Sequence, residues 1–102
     1  MKIVNTEQFN EIRNKGNVVV DFYADWCGPC KMLGPVLEEV SKDYNDINFV
    51  KVNVDDNEDL ATEFGIMSIP CVFMMKNGEV VNKFLGSLGE KAVREHLDKA
   101  YK

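Results

Sequence analysis

Two cysteines three positions apart, Cys27 and Cys30, lie in the stretch ADWCGPCK with Gly28 and Pro29 between them. At that spacing two sulfurs can share a metal ion, form a fixed disulfide, or open and close as a dithiol couple. A closed zinc site takes four ligands, usually from a second Cys or His pair. Beyond the motif the chain offers only Cys71 and His96, without paired spacing, and Lys31 beside the motif opposes a bound cation. A permanent staple is disfavoured too, because so short a loop restricts the unfolded chain little. The exchanging couple is the reading the residues support best.

Placement gives the pair its chemistry. The preceding segment Val18–Ala24 (VVVDFYA) is β-branched and aromatic with almost no polar alternation, the pattern of a central strand covered on both faces. After the motif, Leu33, Val36, Leu37, Val40 and Tyr44 recur at helical spacing, with Glu38, Glu39, Lys42 and Asp43 on the solvent side. Cys27 is therefore expected where that helix begins. Unpaired N–H groups and the positive end of the helix dipole meet there and favour a thiolate. Gly28 and Pro29 suit the tight turn, since proline's missing donor is not needed in a first helical turn. Cys30, one turn on, is expected to be a shielded thiol behind an exposed Cys27. Pro35 predicts a kink further along. Asp21 is the one residue that breaks the apolar strand. A carboxylate there is either desolvated, with a raised pKa, or sits at a strand end, hydrated or salt-bridged to Lys51.

The remaining elements must hold this site. Asn5 or Thr6 can cap a first helix reaching about Lys15, with Phe9 and Ile12 inward. A second buried strand is predicted over Ile47–Val54 and a short helix near Asp59–Phe64. Two strands, CVFMMK and EVVNKFLG, flank Asn77-Gly78, a strong hairpin signal. Ser87 and Glu90 have capping-box spacing for a last helix whose inner face is Val93, Leu97, Ala100 and Tyr101. The order β-α-β-α-β-α-β-β-α describes an α/β sheet with helices on both faces. NKGN, DYND and KNGE read as turns, so residues 1–102 form one expected domain.

Composition agrees. The chain has 102 residues, of which 45% are hydrophobic and 28% charged, enough to build a core without help from metal. A net charge of −5 with no basic cluster argues against nucleic acid and against an anionic membrane. No apolar run approaches the roughly 18 residues of a membrane span. The start, MKIVNTEQFN, turns polar by Asn5, so a cytoplasmic, reducing location is expected, where structural disulfides are rare.

VDFYADWCGPCK, followed by Ser68-Ile69-Pro70 and then KNGEV, resembles the thioredoxin family essentially end to end. The resemblance implies a thioredoxin fold: a mixed five-stranded sheet flanked by four helices, ending in an antiparallel hairpin and a helix. Gly-Pro between the cysteines is similar to the reducing members. It implies Cys27 as nucleophile, Cys30 as resolving thiol, and Asp21 with its partner Lys51 as the proton relay to Cys30. It also implies a cis Pro70 facing the cysteines, and a docking surface of Trp26, Gly28, Pro29, Ile66, Ile69, Pro70 and Gly86. Ile69 would pair with an extended substrate backbone. Gly65 and Gly78 match family glycines as well. No cofactor or metal is implied, because the electrons reside on the sulfurs. The partners implied are proteins with exposed disulfides and a thioredoxin reductase, flavin- and NADPH-dependent or ferredoxin-dependent, acting on a monomer. A competing class is a binding module recognised in its reduced form.

The chain departs from the family pattern at Cys71, where threonine is usual. Cys71 is either a small buried hydrophobe or a third thiol close to the pair. Tyr23 stands where many members have tryptophan, and Asp25 adds negative charge that opposes a Cys27 thiolate. His96 reads as a residue of the last helix, and the methionines as core filler except Met67, just before the Ser68–Pro70 loop.

Overall fold

The computed structural model describes residues 1–102. Its axis is β2 (Asn17–Tyr23), parallel to β3 (Ile47–Asn53) on one side and antiparallel to β4 (Cys71–Lys76) on the other. β1 (Lys2–Ile3) pairs parallel with β3, and β5 (Glu79–Leu85) pairs antiparallel with β4. The strand order is β1-β3-β2-β4-β5, the mixed five-stranded sheet the sequence implies.

Alternation along β2 sorts the helices onto two faces. Val18, Val20 and Phe22 pack on the side of Phe9 from α1 (Thr6–Ile12) and Leu60 from α3 (Glu58–Glu63). Val19 packs on the other side, among Leu33 and Leu37 of α2 (Gly28–Ser41) and Val93 and Leu97 of α4 (Glu90–Tyr101). A strand covered in this way needs apolar residues at consecutive positions, which is why VVVDFY shows no polar alternation. Tyr101 locks the end of α4 to the sheet: its hydroxyl donates to the carbonyls of Met75 at 2.8 Å and Val18 at 3.2 Å.

Local chemistry sets the ends of the elements. Asn5, rather than Thr6, caps α1: its side chain accepts from the Gln8 N–H at 2.8 Å while Gln8 accepts from the Asn5 N–H at 2.9 Å. The helix stops at Ile12, short of Lys15, because Gly16 at φ +68° turns the chain into β2. α2 continues through Pro35. Asn77 and Gly78 both take positive φ, 50° and 89°, as a tight Asn-Gly hairpin demands.

The expected capping box of Ser87 and Glu90 does not form. Gly86, at φ +82°, donates its N–H to the Pro70 carbonyl at 2.9 Å, so the chain is still crossing the sheet at Ser87. The helix begins at Glu90, with Gly89 as its uncapped N-cap residue. Gly89 has φ −75°, and a Cβ there meets nothing within 4 Å. Gly89→Asp should therefore stabilise the protein by about 0.5 kcal/mol, giving the free N–H groups an acceptor and the helix dipole a negative charge. Thermal melting should show a rise of roughly 2–4 °C; an unchanged midpoint would mean those N–H groups already have partners.

Candidate active site

The C-terminal end of β2 delivers the chain directly to the cysteines. Cys27 is the N-cap residue of α2, and its Sγ accepts the Cys30 N–H at 3.2 Å. Pro29 occupies the first turn. The two cysteines are joined as a disulfide, with their Cα atoms 5.3 Å apart. Both are buried, which corrects the expectation of an exposed Cys27. Burial comes from a compact cluster of Tyr23, Ala24 and the two sulfurs, closed by Val54 and Ile69. Gly28 and Pro29 between them remain exposed.

A distant loop completes the site. The Ile69-Pro70 peptide is cis, as the resemblance implies, and the Ile69 carbonyl oxygen lies 3.8 Å from the Cys27 sulfur. Gly86, half-buried, is tied to this loop through its bond to Pro70. Beside the loop runs a groove of about 450 Å³ with apolar walls from Trp26, Val54, Ile66, Met67 and Ile69. Trp26 is 71% exposed, so core packing is not its role. Its ring is oriented by Asp55, whose Oδ2 accepts the indole N–H at 2.9 Å. Sequence reasoning missed Asp55, since an Asp55-Asp56 pair after a strand carries only the signal of a solvated turn.

Asp21 is fully buried within β2, not at a strand end. By alternation it lies on the α2 face, between Val19, which packs on that helix, and Tyr23, which packs with the cysteines. Neither carboxylate oxygen has a hydrogen-bond partner. Burial pushes its carboxyl up to about 6, against the opposing pull of the Lys51 charge. Asp21 and Lys51 are register partners on adjacent strands, yet they form no ion pair. The Lys51 ammonium instead sits 4.3 Å from the centre of the Tyr23 ring. A small cleft of about 140 Å³ between Tyr23, Lys31 and Lys51 leads to Cys30.

The other candidates lie elsewhere. Cys71 is buried on the opposite face with Phe22 and Phe73, and burial pushes its thiol pKa up. It is the small hydrophobe of the two readings. The His96 ring lies 5.1 Å from the Phe84 ring, near the Asn82 amide. Neither residue joins the cysteine pair.

A buried central strand leading into a helix whose first turn carries a Cys-Gly-Pro-Cys bridge, faced by a cis-proline loop, defines a dithiol–disulfide exchange protein. The family model for thioredoxin matches residues 1–99. The chain is 42% identical over 94 residues to thioredoxin of Bacillus subtilis, covering 91% of this chain and 90% of that protein. It is 48% identical over 80 residues to thioredoxin of Mycoplasmoides gallisepticum, covering 78% and 80%. A solved structure of Plasmodium falciparum thioredoxin superimposes with a TM-score of 0.92 at 38% identity, over the whole of both chains. The chain belongs to the thioredoxin family. It is a thiol–disulfide oxidoreductase with protein-disulfide reductase activity, and its redox pair is Cys27–Cys30.

The buried carboxylate leaves a measurable mark on stability. Asp21 holds its proton more tightly in the folded chain, at about 6, than at its ordinary value of 3.8. Its contribution is therefore fully present below 3.8 and is lost as pH rises through 6, a change of about 3 kcal/mol. Denaturant unfolding at pH 4 and pH 7 should show the stability gap between wild type and Asp21→Asn shifting by most of that amount, with wild type relatively weaker at pH 7. A gap independent of pH would rule out the raised pKa.

Proposed function

We propose that Cys27 is the attacking thiolate and Cys30 the resolving thiol in reduction of protein disulfides. The observation that carries this reading is the Cys30 N–H aimed at the Cys27 sulfur where α2 begins, a donor that stabilises negative charge on that sulfur. The Cys27 thiolate attacks one client sulfur, the client disulfide breaks, and its other sulfur leaves as a thiolate that takes a proton from solvent. Asp21, ionised near neutral pH, accepts the Cys30 proton through water. The Cys30 thiolate then attacks the Cys27 sulfur and closes the internal disulfide. The second client thiolate departs and takes the proton back from Asp21. Two electrons have moved from the Cys27–Cys30 pair to the client.

The exposed faces of Trp26, Gly28 and Pro29, with Ile66, Ile69, Pro70 and Gly86, form the docking surface in this reading. Backbone beside the cis-proline binds an extended client chain, and the apolar groove takes its side chains. Lys51 tunes Asp21. The same surface meets a thioredoxin reductase, flavin- and NADPH-dependent or ferredoxin-dependent, which restores the dithiol. The protein works as a single domain over residues 1–102 and as a monomer. It carries electrons for redox homeostasis in the cytoplasm. No helix is long and apolar enough to cross a membrane, which is consistent with that setting.

Cys30→Ser should accumulate covalent mixed disulfides with clients, visible by mass spectrometry and reversed by dithiothreitol, while Cys27→Ser should form none. Adducts carried by Cys30 in the Cys27→Ser variant would reverse the assignment. Asp21→Asn should slow turnover roughly tenfold to a hundredfold near pH 7. Stopped-flow release of reduced client measures this directly, and an unchanged rate would remove Asp21 from the proton path.

A further inference from the structure

Lys51 carries a charge beside a buried carboxylate, and something must fix where that charge stands. Its ammonium makes no ion pair. Glu38 of α2, which lines a cleft with Lys51, already holds the N-terminal ammonium at 2.6 Å. The partner the ammonium does have is the face of Tyr23, 4.3 Å from the ring centre, where the electron-rich ring attracts a cation. Tyr23 is itself buried and packed against the cysteines, so its ring is a fixed platform. Burial and the nearby Asp25 raise the Tyr23 pKa, so the ring stays neutral across physiological pH.

We propose that Tyr23 is a positioning residue, whose ring holds the Lys51 ammonium at a set distance from Asp21 and so sets the pH at which the carboxyl exchanges its proton. This rests on the reading of Asp21 as the proton relay. Without the ring, the half-exposed Lys51 side chain has water on its outer side and no aromatic face to hold it. The charge then moves away from Asp21, and the ionised carboxylate loses support. Other charges face the same space. Asp25 beyond β2 and Asp56 beyond β3 act on Tyr23. Lys31 and Glu38 line the two clefts that meet at Cys30. Cys71 on β4 is influenced by Asp21 from the opposite face. None of these touches the Lys51 ammonium as Tyr23 does.

The test is a carbon-13 NMR titration of the Asp21 carboxyl in the reduced protein, with turnover measured across the same pH range. Tyr23→Ile should move the Asp21 midpoint upward by about half a pH unit. Tyr23→Phe, which keeps the ring, should restore the wild-type midpoint. Lys51→Met should move it upward too, and adding Tyr23→Ile to that variant should move it no further. A Tyr23→Ile midpoint that is unchanged or lower overturns the proposal, as does a full additional shift in the double variant. In the unaltered protein, the Lys51 ε-methylene protons should be displaced upfield by the Tyr23 ring current. Unshifted protons would overturn the proposal even if Tyr23→Ile does not fold. If the midpoint moves while the turnover profile stays fixed, positioning by Tyr23 stands and the relay role of Asp21 fails.

Discussion

The structure depends on one strand that has no free side. β2 is hydrogen-bonded along both edges, to β3 and β4, and covered on both faces by helices. Each fully buried Val or Phe on it contributes about 1.5–3 kcal/mol relative to an exposed position. The cost of ionising the buried Asp21, about 3 kcal/mol at neutral pH, is of the order of one such side chain, so the strand tolerates a carboxylate without hydrogen-bond partners. Since β2 cannot shift, its C-terminal end is a rigid mount for the first turn of α2. That rigidity keeps the two sulfurs in reach of each other and of the Cys30 N–H.

The rest of the site is brought to this mount by tertiary packing. Ile69 and Pro70 come from the crossing into β4, Val54 follows β3, and Gly86 follows β5. These segments close over the sulfurs and leave an open apolar groove beside them. Burial of the disulfide within this shell, with exposure of Trp26 and Met67 outside it, separates the sulfurs from the proposed docking surface.

Electrostatics around the pair follow a similar division. The helix terminus supplies donors at Cys27, while the buried carboxylate lies deeper, on the strand beneath α2. A charge in that location acts strongly because little water screens it. Lys51, held on the Tyr23 ring, is the cation set closest to it in the sheet register. Replacement of tryptophan by tyrosine at position 23, relative to many members of the family, keeps a ring available for that contact.

Much of this was legible in the residues. Runs rich in β-branched and aromatic residues marked β2 and β3, helical spacing marked α2 and α4, and Asn77-Gly78 marked the hairpin, because these signals are local and act within a few residues. The same holds for the chemistry of Cys27 and Cys30, since a strand, a tight turn and a helix start lie within one short stretch. Ser87 misled, because a capping box is a local signal that loses when the chain must first cross from β5 to α4, pinned at Gly86. Burial of Cys27, the Asp55 bond to Trp26, the seat of Lys51 on Tyr23 and the face on which Cys71 lies were decided by tertiary structure alone. Each depends on segments far apart in the chain. No spacing rule reports what a fold brings together once the sheet order and the packing of its two faces are set.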